Sequence, residues 1–303
     1  MTAYGKLFAL IYSRLFSEKT RKRSESVIVS IAIISFILHL SVIILVDLDV
    51  FQLKDYSALL NNPIAAIYTP FSFILIYEVY LLVYYLPKST TIYIGKQYEI
   101  ITLIVIRRVF KDLSKLEFTA DWFAVKNDLQ FTYDLAATII LFLLIFVFYR
   151  FSGKKEESPH KSGQPTVELL KFIGMKNVIA TCLIPLFLIL AVYSLGHWVY
   201  ENFVSITRMV DSIKDVNKIF FDEFFTVLIM TDVLLLLISL LHTDKFSKVI
   251  RNSGFIISTI LIKLSFGAEG LLNTVLIVVA VLFGVVILGI HNQYEKLSMP
   301  NHG

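Results

Sequence analysis

The sequence predicts an all-α, polytopic membrane protein of about eight transmembrane helices in two parallel four-helix repeats. Three observations predict it. Of 303 residues, 56% are apolar and only 17% charged, against roughly 25% charged in an ordinary soluble domain; the mean hydropathy is +0.73. The apolar residues gather into runs close to the ~20 residues that a helix needs to cross a hydrocarbon layer of about 30 Å. The basic residues between those runs sort to alternate connections. A soluble enzyme of this length would need more polar surface than 28 Lys+Arg and 24 Asp+Glu can cover, so that class is excluded.

Seven apolar runs are clear: residues 27–46, 65–86, 91–110, 135–151, 178–199, 224–241 and 271–290. The third carries Lys96 and Glu99 in its first turns, so its embedded part is expected to start near Tyr98. An eighth run, 254–266, has only 13 apolar-core residues, with Lys248 and Arg251 before it. It spans only if that basic stretch is helical and its long side chains snorkel to the headgroups.

Lys and Arg in short loops mark the cytoplasmic side. Before the first run lie Lys6, Arg14, Lys19, Arg21, Lys22 and Arg23, and after the fourth lie Lys154, Lys155, Lys161, Lys171 and Lys176. The turns after the second and sixth runs carry Lys88 and Lys96, and Lys245, Lys248 and Arg251. Asp47, Asp49 and Asp55 outweigh Lys54 after the first run, and Glu269 alone follows the seventh. Eight spans with both termini cytoplasmic fit every connection except the mixed loop 111–134. The expected organisation is a basic amphipathic N-terminal segment (1–25), a first repeat (26–151), a cytoplasmic linker (152–177), a second repeat (178–293) and a short tail (294–303). The N-terminal apolar run is too long, starts too late and lacks the cleavage site of a signal peptide. The single cysteine, Cys182, lies in an apolar run and allows neither an intrachain disulfide nor a cysteine metal cluster.

The repeat is visible in the charges. At an offset of 156, residues 100–110 align with 256–266 with five of eleven positions identical, and Arg107 falls on Lys263. At an offset of 154, Glu78 falls on Asp232. Because four spans separate the halves, both insert in the same direction, giving a parallel rather than an inverted repeat. The connection after the first span of each half also has a helical apolar rhythm: Phe203, Ile206, Val210, Ile213 and Val216 in one, and the shorter stretch 50–60 in the other. Both are expected as external amphipathic helices.

A span with a central acid, a short basic turn, a span ending in a base, a short acidic link and a final apolar span resembles the phosphate-starvation-inducible PsiE family of small four-helix bacterial membrane proteins. The match is better over 224–297, with Asp232, Arg251, Lys263 and Glu269 at corresponding places. The first half is similar at Glu78, Lys96 and Arg107 and departs with the insertion 111–133. The resemblance implies a duplicated PsiE-like architecture in a bacterial inner membrane and carries no defined activity.

An ionised side chain at the centre of a bilayer costs about 2.5–3.5 kcal/mol on insertion scales, so intramembrane charges are candidate functional residues. They are Glu78, Arg107, Arg108, Asp232 and Lys263. Antiparallel neighbouring spans place Glu78 level with Arg107 and Asp232 level with Lys263, so each acid is expected to meet a base across its own hairpin. Two readings stay open: ion pairs that only fix helix orientation, and groups that line an ion path. A voltage-sensor helix needs several Arg at every third position, and only Arg107, Arg108 and Lys111 stand here. His39, His197, His242 and His291 lack metal-ligand spacing and read as packed or hydrogen-bonded side chains. The 25 Phe and 15 Tyr suit interfacial belts. No cofactor, metal or catalytic group is expected: the chain has no phosphate-binding glycine loop, nucleophile triad or paired catalytic carboxylates.

Lys19, Arg21, Lys22, Arg23, Lys154, Lys155, Lys245, Lys248 and Arg251 form the basic cytoplasmic complement. Topology accounts for them, and the same residues would suit an anionic ligand such as a nucleotide, an oligonucleotide or a lipid headgroup. The amphipathic stretch 7–16 would lie on the inner leaflet or plug a pore. The resulting functional expectation is a homo-oligomeric ion channel or pore, gated from the cytoplasmic side by an anionic ligand as a defence or stress effector. The alternatives are a small-ion or anion transporter and a non-conducting anchor or regulator of a partner protein.

Overall fold

The computed structural model describes residues 12–48, 63–113, 126–153, 167–200, 216–240 and 246–297. These are all-helical, with 95% of residues in helix and no strand. Eight helices carry them: α1 (Glu18–Asp47), α2 (Tyr68–Tyr85), α3 (Thr90–Leu113), α4 (Lys126–Gly153), α5 (Val167–Val199), α6 (Val216–Leu240), α7 (Phe246–Gly267) and α8 (Leu271–Leu297). A 3-10 turn, Pro63–Ile67, leads into α2. Each apolar run in the sequence falls on one of these helices.

Among the described residues, five helices are long and apolar enough to cross a membrane: α1, Asp128–Gly153 of α4, Ile173–Tyr193 of α5, α7 and α8. In α2 the apolar stretch Thr69–Tyr85 is shorter, and α3 carries Lys96, Glu99, Arg107, Arg108, Lys111 and Asp112 along its length. α7 begins at Phe246, so Lys248 and Arg251 lie in its first two turns. That adds the length which the apolar core 254–266 lacks by itself.

The burial pattern explains why these helices need lipid. On α1 only Ala32, His39, Ile43 and Val46 are buried, a stripe at helical spacing. Around it Val27, Ile31, Ile34, Ile37, Leu38 and Ile44 are exposed. α4 buries Asp134, Ala137, Leu141 and Phe148, and exposes Ile139, Phe142, Leu143 and Phe146. Exposed apolar surface on this scale is costly in water, at roughly 25 cal/mol per Å², and costs nothing against acyl chains.

The chain forms two compact units, each drawing on both halves of the sequence. The first takes in residues up to Tyr84, Ile106–Thr132 and Thr181–Phe220; the second takes in Tyr85–Val105, Tyr133–Ala180 and Phe221–Gly303.

In the first unit, Ser17 caps α1 by accepting a hydrogen bond from the Thr20 backbone N–H at 3.1 Å. α2 presents Tyr77, Tyr80 and Tyr84 along one face. Their hydroxyls donate to Glu25 (3.0 Å), the Leu15 carbonyl (2.7 Å) and Glu18 (2.9 Å). His39 of α1 bonds Thr69 of α2 at 2.5 Å, as a packed, hydrogen-bonded histidine.

In the second unit α7 packs on α8. α7 buries Gly254, Phe255, Ser258, Thr259, Ile262, Ser265 and Phe266, while α8 buries Thr274, Ile277, Ala280, Val281, Gly284 and Leu288. Small residues on both faces bring the backbones close, the usual solution where lipid removes the hydrophobic drive between helices. A Cβ on Gly254 would come within 2.6 Å of the Ile287 side chain. α3 joins this pair through polar side chains: the Thr259 hydroxyl donates to Gln97 Oε1 at 2.9 Å, and Tyr98 bonds Ser258 at 2.8 Å. The link between α7 and α8 turns at Gly270, whose φ of 59° lies in the left-handed region open to glycine.

The expected external helices at 50–60 and 203–216 lie outside the described residues, apart from Val216 at the start of α6. So does most of the N-terminal amphipathic stretch, of which Tyr12–Leu15 form a helical turn.

Candidate functional site

Glu78 and Asp232 stand in different surroundings. Glu78 of α2 meets Arg107 of α3 as its spacing predicts: Arg107 Nη2 donates to Glu78 Oε2 at 2.7 Å, with both side chains at most 3% exposed. The Arg107 guanidinium also lies 6.0 Å from the Phe71 ring centre, and Phe71 stacks on Phe110 at 5.4 Å. Arg108, its neighbour, is half-buried and has a partner of its own.

Asp232 of α6 does not meet Lys263. The groups that act on its carboxyl are Tyr93 and Gln97 of α3 and Lys176 of α5. Lys263 is half-buried and engaged elsewhere. Sequence spacing sets the level of a residue in a hairpin, but the neighbour across the hairpin is the partner only if no other helix lies closer. In the second unit α3 takes that place, and Tyr93 and Gln97, four residues apart, present two polar side chains to Asp232 from one helix face.

A small cavity of about 40 Å³ opens beside this carboxyl. α6 contributes Asp232, Leu235, Leu236 and Ser239 to its wall, and α3 contributes Thr90, Tyr93 and Ile94. α7 adds Asn252, Phe255 and Ile256, and α5 adds Lys176. The spacings of three, four and seven residues show why these helices form one wall: each turns a single face to the cavity. Asp232 and Lys176 are each only 7% exposed, and Tyr93 only 3%.

The polar groups here are incompletely matched. Asp232 Oδ2, Tyr93 Oη and Gln97 Nε2 are buried and close no hydrogen bond of good geometry within the protein. Lys176 Nζ donates to the Lys88 carbonyl at 3.0 Å, in the turn between α2 and α3. A buried carboxyl and a buried lysine therefore line one cavity.

Several other polar side chains of the second unit make hydrogen bonds. Thr274 donates to Asp134 Oδ1 at 2.6 Å. Lys96 bonds Glu99 at 2.6 Å, and the Tyr149 hydroxyl donates to the same carboxylate at 2.5 Å. His291 is bonded to the Ser247 carbonyl at 3.0 Å and to Glu295 at 3.1 Å. Among the described residues, no group of three or more His, Cys, Asp or Glu side chains converges as metal ligands would.

Of the basic residues expected to receive an anion, Lys19, Lys22 and Arg23 are exposed on the first turns of α1. Arg21 is paired with Glu18 and lies 3.8 Å from Glu25. Lys248 is exposed at the start of α7. Arg251 reaches Asn252 Oδ1 at 3.0 Å and is half-buried. Lys154, Lys155 and Lys245 lie outside the described residues. Tyr93, Gln97 and Lys176 were not singled out by the sequence as site residues; the available signal was the pair of polar residues at 93 and 97 on one face of α3.

Comparison with protein-family models, with curated proteins and with solved structures finds no match to this chain.

Proposed function

We propose that this chain is a membrane protein that conducts a small ion, with Asp232 at the site where the ion is held or passed. The supporting observation is the Asp232 cavity. A buried acid at a membrane depth is expensive, and here it lines a small cavity with Tyr93 and Lys176. Its neighbours Tyr93 and Gln97 supply polar atoms that a passing ion or its water can use. The Glu78–Arg107 pair is a direct ion pair and is assigned to helix orientation.

The wider proposal is a homo-oligomer in a bacterial inner membrane, with eight spans, two PsiE-like repeats and both termini cytoplasmic. The alternating basic loops support that orientation. Gating by an anionic ligand at the cytoplasmic face rests on the exposed Lys19, Lys22, Arg23 and Lys248. Purified protein in planar bilayers is expected to give unitary currents that Asp232→Asn reduces at least tenfold. Saturable uptake into vesicles without unitary currents would replace the channel with a small-ion or anion transporter. Absence of both, with a stoichiometric soluble partner recovered on purification, would replace it with a membrane anchor.

A further inference from the structure

The cavity beside Asp232 has a buried polar interior and a half-buried polar rim. Asp232 and Tyr93 are its buried hydrogen-bonding oxygens, and Thr90, Ser239 and Asn252 are the polar lining residues that are only half-buried. Ser239 stands seven residues from Asp232 on α6, two turns and about 10 Å of helix. Asp232 Oδ2 and Tyr93 Oη close no hydrogen bond within the protein, yet each group acts on the other, and Gln97 acts on both. Polar groups held near one another but short of a direct bond are the arrangement that a bridging water completes. A buried water needs at least ~10–15 Å³, so the volume of about 40 Å³ holds roughly one to three.

The same lining is a poor cage for a metal ion. Hard cations take about six to eight oxygen ligands, and the side-chain oxygens here belong to Thr90, Tyr93, Asp232, Ser239 and Asn252. Asn252 Oδ1 already accepts from Arg251 Nε at 3.2 Å and Nη2 at 3.0 Å. Lys176 brings an N–H donor group, bonded to the Lys88 carbonyl at 3.0 Å, and offers no ammonium lone pair to a metal. A proton needs no cage, only a carboxyl oxygen and a water beside it.

Resting on the ion-conducting reading of the chain, we propose that the ion handled at Asp232 is a proton, relayed by water between the Thr90–Ser239–Asn252 rim and the carboxyl. On loading, hydronium at the rim gives up its proton along the water file, an O–H bond forms on Asp232 Oδ2, and neutral water remains. On release, that O–H bond breaks, the proton passes to water, and the carboxylate is restored. Tyr93 is a positioning residue: its hydroxyl donates and accepts, so it orients the water next to the carboxyl without a net change in its own protons. The titratable groups that act on Asp232 are Tyr93 of α3 and Lys176 of α5, while α7 turns Asn252, Phe255 and Ile256 to the cavity.

Full-length protein in sealed liposomes tests this. Entrapped pyranine reads proton uptake under a potential set by potassium and valinomycin, and parallel vesicles without valinomycin read uptake of sodium and rubidium tracers. Proton uptake that neither tracer accompanies is the expected result, reduced at least tenfold by Asp232→Asn and at least threefold by Tyr93→Phe. An acid-minus-alkaline infrared difference spectrum of the purified protein should also show a protonated-carboxyl band that Asp232→Asn removes. Should Asp232→Asn not fold, Tyr93→Phe and Ser239→Val, which takes a hydroxyl from the rim, carry the comparison. Tracer uptake that is lost in Asp232→Asn, without proton uptake, overturns the proton and leaves ion conduction standing. Absence of all three fluxes overturns both. Proton uptake or a carboxyl band unchanged in the folded variants overturns the assignment to Asp232.

Discussion

The Tyr98 hydroxyl occupies the place where a side chain on Gly284 would begin: a Cβ built there lies 1.6 Å from the oxygen. Ser258 donates its proton to the Ala280 carbonyl at 2.6 Å, so Tyr98, 2.8 Å from the serine oxygen, is the donor between them. α3 and α8 thus approach closely through a glycine, and α7 supplies the acceptor. Gly284→Ala is expected to destabilise the second unit by about 1–3 kcal/mol through overpacking. Combining it with Tyr98→Phe should recover part of that loss. Thermal unfolding in detergent of both singles and the double checks this; additive losses in the double would contradict the contact.

The Glu78–Arg107 pair should behave as a buried ion pair. Removing one partner, by Glu78→Gln or Arg107→Gln, leaves an uncompensated charge and is expected to cost about 3–5 kcal/mol. Replacing both, as Glu78→Met with Arg107→Met, should cost far less than the sum of the singles. A double-mutant cycle read by chemical unfolding measures the difference, and additivity would show that the charges do not interact.

The bond between Thr274 and Asp134 joins α8 to α4. Thr274→Val keeps the shape and removes the donor, so it is expected to destabilise by about 1–3 kcal/mol. Thr274→Ser keeps the donor and should lie within about 1 kcal/mol of the parent. Equal losses in the two variants, compared by unfolding in the same detergent, would indicate that the methyl group rather than the hydroxyl matters.

Tyr77, Tyr80 and Tyr84 tie α2 to the segment around the start of α1. Each Tyr→Phe substitution is expected to cost about 0.5–1.5 kcal/mol, and the loss should be local. Hydrogen exchange by mass spectrometry over residues 12–25 is the readout. Faster exchange there in Tyr80→Phe, with α7 and α8 unchanged, is the expected result.

Much of the architecture is legible in the sequence because helix length, apolar period and charge placement are local properties. The runs at 27–46, 135–151 and 271–290 are long and nearly free of charge, and α1, α4 and α8 enclose them. The run at 254–266 looks too short by composition alone; the helix starts eight residues earlier, at Phe246, because Lys248 and Arg251 do not interrupt a helical backbone. The Glu78–Arg107 contact is also legible, since it joins consecutive helices. The Asp232 site is not. Its carboxyl is acted on by Tyr93, Gln97 and Lys176, from 56 to 139 residues away in the sequence, and no local period records which distant helix face arrives. The charge alignment places Glu78 and Asp232 at equivalent points, yet one is closed by a base and the other opens on a cavity.

The central claim is that Asp232, and not Glu78, is the acid that works. Ion flux into liposomes reconstituted with folded protein tests it most directly, comparing Asp232→Asn with the charge-free double replacement Glu78→Met with Arg107→Met. Flux reduced at least tenfold in Asp232→Asn and kept within about twofold in the double replacement is the predicted result. Flux that survives in Asp232→Asn and disappears in the double replacement would contradict it.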